Sequence, residues 1–225
     1  MGYHIDTGLI KDKFKVDCEC PLCEIQKIVE EGLMHEFLND AVMEDNSRIA
    51  VGEKGFCSKH FDLMLKRPNK LSLALQINTR LSAIMQDLAP EKNPKSARKL
   101  ADRLDNAHKT CVICDLTEES MVKYYKTVAE LYKNEQSFRE TLKSTKGFCL
   151  HHYAELLRYS NYAGKFTKEY LSVLFTVQTE NLKRLQGEIK WFCDKHDYRN
   201  ADKPLGSAET ALPRTRTKLY GKKPE

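Results

Sequence analysis

Apolar residues recur along this chain at the three- and four-residue spacing of helices, and the strict alternation of half-buried strands is almost absent. One stripe runs through Ile25, Ile28, Val29, Leu33, Phe37 and Ala41. A second takes in Leu73, Ile77, Leu81, Ile84 and Leu88, and a third Tyr170, Leu174, Val177, Leu185, Ile189 and Phe192. Met121, Tyr124, Tyr125, Val128 and Leu131 read as core packing on a further helix. Prolines fall only where helices should begin or end: Pro21, Pro68, Pro90 and Pro94, then Pro204, Pro213 and Pro224. Asn93-Pro94 predicts an N-cap followed by proline at the first helical position. Phe166, Thr167 and Leu171 predict a capped and stapled start to a long helix. The pattern predicts an all-α fold.

The same order of features is written twice. Cys20-Pro21-Leu22-Cys23 and Gly55-Phe56-Cys57-Ser58-Lys59-His60 return as Cys111-Val112-Ile113-Cys114 and Gly147-Phe148-Cys149-Leu150-His151-His152, at offsets of 91 and 92 residues. This periodicity predicts two helical pseudo-repeats, residues 18–90 and 109–195, joined by a polar linker helix over 94–107. The two are expected to share one core within a single domain, 1–196. Beyond Asp197 apolar residues thin out, and the segment 197–225 reads as an extended basic tail, partly docked.

Cys-x-x-Cys brings two thiolates together, and Cys-x-x-His at a helix start puts a thiolate and an imidazole on one face. The helix N-terminus favours thiolate over thiol. Three sulfurs and one nitrogen close a tetrahedral zinc site, so the spacing predicts two structural Zn²⁺ ions per chain. Each repeat is expected to hold its own ion, with Cys20, Cys23, Cys57 and His60 around the first and Cys111, Cys114, Cys149 and His152 around the second. An iron–sulfur cluster or dithiol redox chemistry stays open as an alternative. Haem attachment is excluded, because Glu24 and Asp115, not histidines, follow the two knuckles.

Other residues of these types have plainer readings. Cys18 has Lys109 opposite it in the second copy, which makes it an additional thiol and a candidate reactive one. His151 aligns with Lys59, so His152 is the ligand of the pair. His108 reads as a surface residue, His35 as a core histidine, and Cys193 with His196 as a helix-terminal pair that no third knuckle completes.

Composition narrows the class. With 31% charged and 41% apolar residues, the 225-residue chain is of globular type and long enough to bury a core. No run approaches a membrane-spanning length, and residues 1–6 lack the apolar stretch of a signal peptide, so a cytoplasmic protein is expected. Six thiolates and two dications would bring the formal charge of +5 to +3. The 197–225 segment alone carries seven Lys/Arg against four Asp/Glu, which leaves the body near neutral and argues against a nucleic-acid face.

The paired Cys-Pro-x-Cys and Gly-Phe-Cys-x-x-His motifs, with the Asp197-Tyr198-Arg199-Asn200 tail, resemble an uncharacterised bacterial family classed as a domain of unknown function. The likeness runs from Cys20 to about Leu212 and implies no established activity. The residues therefore carry the functional expectation. It is a zinc-binding helical module without enzymatic activity, serving a protein or small-ligand partner. The alternative is a thiol-based sensor or oxidoreductase using Cys18 beside the first metal site.

Overall fold

The computed structural model describes residues 7–88, 90–200 and 202–222; the readings that involve residues 1–6, Lys223, Pro224, Glu225 and the His108 side chain lie outside the described residues. Among the described residues the protein is helical throughout and has no strand, as the periodicity predicts. The helices are α1 (Thr7–Phe14), α2 (Pro21–Leu38), α3 (Asp45–Lys54), α4 (Ser58–Leu65), α5 (Lys70–Asp87), α6 (Pro94–Lys109), α7 (Val112–Asn134), α8 (Gln136–Ser144), α9 (Leu150–Arg158), α10 (Thr167–Asp194) and α11 (Ala211–Tyr220). Short 3₁₀ turns at Asp40–Met43, Ser160–Phe166, Tyr198–Asn200 and Gly206–Thr210 join some of them.

Local chemistry sets the helix ends. The Asn93 side chain accepts hydrogen bonds from the amides of Lys95 and Ser96, each at 3.0 Å, with Pro94 at the first helical position. α10 begins as expected at Thr167, but the threonine is already helical and does not cap. Its hydroxyl donates backwards to the carbonyl of Gly164 at 2.7 Å, and Phe166 takes the cap position.

The chain forms two compact units, and they are not the repeats 18–90 and 109–195. Unit 1 combines residues up to Lys27 with Met121–Pro224, and unit 2 is Ile28–Ser120. Each unit therefore contains part of α2 and part of α7. Unit 1 packs α1 against α8, and α10 against α8, α9 and α11. Its interior is aromatic: Phe14 lies 5.2 Å from Phe138 and 5.9 Å from Phe148, and Tyr132 lies 5.0 Å from Tyr170, centroid to centroid. Unit 2 packs α3 along α5 over Met34, Phe37, Leu38, Val51, Met64, Leu73 and Ile113.

The segment after Asp197 is not extended. It folds as two 3₁₀ turns and α11, and α11 packs on α9 and α10 within unit 1. Its cations explain the docking. Arg214 pairs with Glu19 at 3.4 Å and with Glu188 at 2.6 Å, Lys222 pairs with Glu24 at 2.8 Å, and Lys218 is fully buried. Composition could not show this docking, because Glu19 and Glu24 lie almost two hundred positions from the cations they meet.

Four of the expected interior positions, Ile28, His35, Leu81 and Leu88, face solvent. His35 is exposed on α2, since the apolar stripe there runs through Met34, Phe37 and Leu38. On α5 only Leu73 of the second stripe is buried, and Leu81 and Leu88 are exposed.

Gly32 in α2 and Gly187 in α10 lie mid-helix, and an added Cβ would meet nothing within 4 Å. Gly32→Ala and Gly187→Ala should each raise unfolding free energy by about 0.5–1 kcal/mol, read from urea denaturation of the metal-loaded protein.

Candidate metal centres

The eight predicted ligands gather into two sets of three cysteines and one histidine, but the partners are exchanged. Cys20 and Cys23 meet Cys149 and His152; Cys57 and His60 meet Cys111 and Cys114. The first set lies wholly within unit 1 and the second wholly within unit 2. The expectation that each repeat closes on itself is thus wrong. α2 and α7 each begin in one unit and end in the other, so the knuckle at the start of each helix belongs to a different unit from the Cys-x-x-His that follows it in sequence.

All four motifs start helices. Pro21 and Val112 open α2 and α7 directly after Cys20 and Cys111, and Cys57 and Cys149 are the N-cap residues of α4 and α9. Each cluster is therefore a meeting of two helix N-termini, whose partial positive charge favours thiolate. The proline after Cys20 was the sequence signal that the knuckle itself is helical, not a free turn.

In unit 1 the Nδ1 atom of His152 lies 3.4 Å from the sulfurs of Cys20 and Cys23 and 3.2 Å from that of Cys149; Cys23 and Cys149 are 3.7 Å apart. In unit 2 the Nδ1 atom of His60 lies 3.3 Å from Cys57 and Cys111 and 3.4 Å from Cys114; Cys57 and Cys114 are 3.8 Å apart. A tetrahedron with metal–sulfur bonds of about 2.3 Å has sulfur–sulfur edges of about 3.8 Å. Disulfides would need about 2.05 Å, and all eight cysteines are free. Both sets thus fit a tetrahedral dication, with each histidine presenting Nδ1.

Residues 1–225 match the profile of one family along their whole length. The chain belongs to DUF6062, a family of unknown function. No curated protein and no solved structure matches it.

Side chains that sequence reasoning missed hold the ligand loops in place. Gly55 and Gly147, which open the two Gly-Phe-Cys segments, have φ of 64° and 78°. An added Cβ would come within 2.9 Å of Arg80 Nε at Gly55 and of Gln178 Oε1 at Gly147. Both close neighbours are clamps. Arg80 donates to the carbonyls of Gly52 and Glu53 at 2.7 Å and of Ala107 at 3.3 Å, tying together the segments that lead into Cys57 and Cys111. Gln178 accepts from the Phe148 amide at 2.9 Å and donates to the Phe148 carbonyl at 3.0 Å.

Lys218 does for unit 1 what Arg80 does for unit 2. Its ammonium donates to the carbonyls of Glu19 at 2.6 Å and Lys146 at 2.5 Å, one residue before Cys20 and one before Gly147. Glu19, also buried, faces Lys218 at 3.3 Å and Arg184 at 2.7 Å. Burial pulls the Lys218 pKa down, and the facing carboxylate opposes that fall. Lys59 and His60 both approach Glu30, the latter from Nε2 at 3.9 Å. At that distance the carboxylate makes no hydrogen bond to the ring and acts on it through its charge.

The unused candidates stay apart from both sets. Cys193, His196 and His151 are exposed. Cys18 is half-buried beside a crevice of about 270 Å³ among Glu24, Lys146, Arg214 and Lys222, and burial pushes its thiol pKa up.

Hydrogen bonds between the thiols, with burial, decide the protonation of the bare clusters. Hydrogen bonds from Cys20 and Cys23 hold Cys149 well below the usual thiol range. Cys23 is pushed up to about 12, chiefly by its bond to Cys149, and burial raises Cys20. In unit 2 the bond from Cys114 lowers Cys111 to about 3, and Cys114 rises in return. Burial of His60 lowers its pKa, but the Cys111 thiolate and the Glu30 carboxylate outweigh that and lift it to about 9. Near neutral pH each set therefore keeps at least two protons that a metal must displace: those of Cys20 and Cys23, and those of Cys114 and His60.

Two outcomes follow from this geometry. Metal binding near pH 7 should release at least two protons per ion, so affinity should fall about 100-fold per unit of acidification; titration calorimetry in buffers of different ionisation enthalpy measures both. Lys218→Met should cost about 2–4 kcal/mol and weaken metal retention in unit 1 while leaving the unit 2 ion in place, read by melting and by metal analysis after dialysis.

Proposed function

We propose that the protein is a zinc-binding helical module without enzymatic activity, in which two structural Zn²⁺ ions fix the ligand-bearing helix starts so that the surface can serve a protein or small-ligand partner. The observation that carries this reading is the closed donor set. Three sulfurs and one imidazole nitrogen at tetrahedral edge lengths leave no position for substrate or water. Thiolate and imidazole donors suit zinc, and d¹⁰ zinc imposes no geometry beyond the tetrahedron. No helix among the described residues is long and apolar enough to cross a membrane, which is compatible with the cytoplasmic location we assign. The repeated motif spacing supports a further reading: the halves arose by duplication, and each knuckle serves the other half's Cys-x-x-His.

Structural zinc contributes folding free energy on the order of 10–16 kcal/mol in small domains. Stripping the metal with a strong chelator should therefore lower helical circular dichroism and the melting temperature together, and zinc should restore both. Unchanged helicity and melting after complete metal removal would overturn the structural role.

One observation favours the thiol-sensor reading, and it lies in unit 2 rather than at Cys18. All four donors of the unit 1 set are buried, whereas Cys114 is exposed and Cys57 half-buried. Peroxide oxidising these two thiolates to a disulfide would be reduced to water and would free the ion. Limiting peroxide should then release one metal per chain, with Cys57 and Cys114 oxidised first and Cys18→Ser without effect. Equal loss from both sets would dismiss it.

A further inference from the structure

The two candidate centres differ in what covers them. In unit 2 Cys114 is exposed and Cys57 half-buried, so solvent reaches donors of the folded chain. In unit 1 all four donors are buried, none more than 5% exposed. An ion needs an entry path, and the closed surface over these four donors offers none.

Most of what encloses the unit 1 donors is core. Leu22 between Cys20 and Cys23, Phe148 before Cys149 and Tyr125 against the His152 ring are each buried almost completely. The Cys23 side is different, because a strap made of α11, Gly221 and Lys222 crosses it. A Cβ on Gly221 would lie 3.8 Å from the Cys23 sulfur, and the Lys222 backbone N–H faces the same atom.

This strap is held by polar ties more than by apolar packing. Within α11 only Ala211 and Lys218 are buried, while Leu212, Leu219 and Tyr220 are exposed. Lys218 ties it to the Glu19 and Lys146 carbonyls, Arg214 to Glu19 and Glu188, and Lys222 to Glu24. Beneath it the packing is incomplete. A groove of about 430 Å³ separates Leu182 and Ile189 of α10 from Thr215 and Leu219 of α11, and the buried Thr215 hydroxyl oxygen makes no hydrogen bond. A buried ammonium and an unsatisfied hydroxyl both cost docking free energy. An element with few buried apolar contacts opens at a free energy below that of global unfolding.

We propose that this strap is the gate of the unit 1 centre: its ion enters and leaves when α11 and Lys222 lift from the first knuckle, whereas unit 2 exchanges its ion without any opening. Lifting uncovers the Cys23 sulfur and leaves the core helices together. The gate presupposes the two structural ions proposed above, one in each unit.

Transfer of zinc from the loaded full chain to a chromophoric chelator, timed over a range of chelator concentrations, tests this. Two phases of one ion each are expected. The unit 2 phase should quicken in proportion to chelator, because exposed thiolates allow direct attack. The unit 1 phase should level off at the rate of strap opening, and Cys20→Ser with Cys149→Ser should abolish it. Lys222→Glu replaces attraction to Glu24 by repulsion and should raise that plateau about 10-fold, with the unit 2 phase, helicity and two ions per chain retained. Lys222→Arg should keep the wild-type plateau. A unit 1 phase that rises in proportion to chelator throughout overturns the gate. A plateau that Lys222→Glu leaves unmoved, or a change shared equally by both phases, overturns it as well. A chain that takes up no zinc overturns the two-ion reading and the gate with it, an outcome seen at loading, before any release is timed.

Discussion

Three sulfur atoms within 4.8 Å of one another and of an imidazole cannot all be ionised without a cation between them. In the bare clusters hydrogen bonds from neighbouring thiols hold Cys149 and Cys111 low, while Cys23 and Cys114 are pushed up. A dication would remove the conflict. It would also close long loops, because Cys23 and Cys149 are 126 residues apart and Cys57 and Cys114 are 57 apart. Closing such loops costs conformational entropy, which an ion bound at each cluster would help to offset.

The surroundings of each set follow from the same need. Positive potential reaches the sulfurs from two helix N-termini per cluster, and a cation buried nearby ties the two incoming segments by their carbonyls. Lys218 does this in unit 1 and Arg80 in unit 2, although one sits on the C-terminal helix and the other in the middle of α5. The glycine before each Phe-Cys pair is then required twice over, by its positive φ and by a close polar neighbour. The carboxyl-terminal segment is part of the unit 1 centre in this sense. A Cβ added to Gly221 would lie 3.8 Å from the Cys23 sulfur, and Lys222 pairs with Glu24 on the knuckle helix.

How far the sequence was legible depended on the range of each interaction. Helical class and the Asn93 cap are local, and both were readable. The eight clustered cysteines and histidines were readable too, because metal-ligand chemistry restricts candidates to few residue types at fixed spacing. Their pairing was not, because four motifs in the order knuckle, Cys-x-x-His, knuckle, Cys-x-x-His can close side by side or one set inside the other. The choice rests on where α2 and α7 run, which spacing does not encode. Lys218, Arg214 and Lys222 read as an extended, partly docked basic tail for the same reason, since Glu19, Glu188 and Glu24 are not neighbours in sequence. Leu81 and Leu88 fitted the periodicity of a buried stripe, and periodicity cannot tell an inward face from an outward apolar one.

The nested pairing is tested most directly by counting metal ions bound to paired cysteine variants of the full chain. Cys20→Ser with Cys149→Ser removes two donors from one set and should leave one ion per chain. Cys20→Ser with Cys57→Ser damages both sets and should leave none tightly bound. The reverse result, no ion in the first variant and one in the second, would mean that each knuckle closes on the Cys-x-x-His nearest to it in sequence, and would contradict the account.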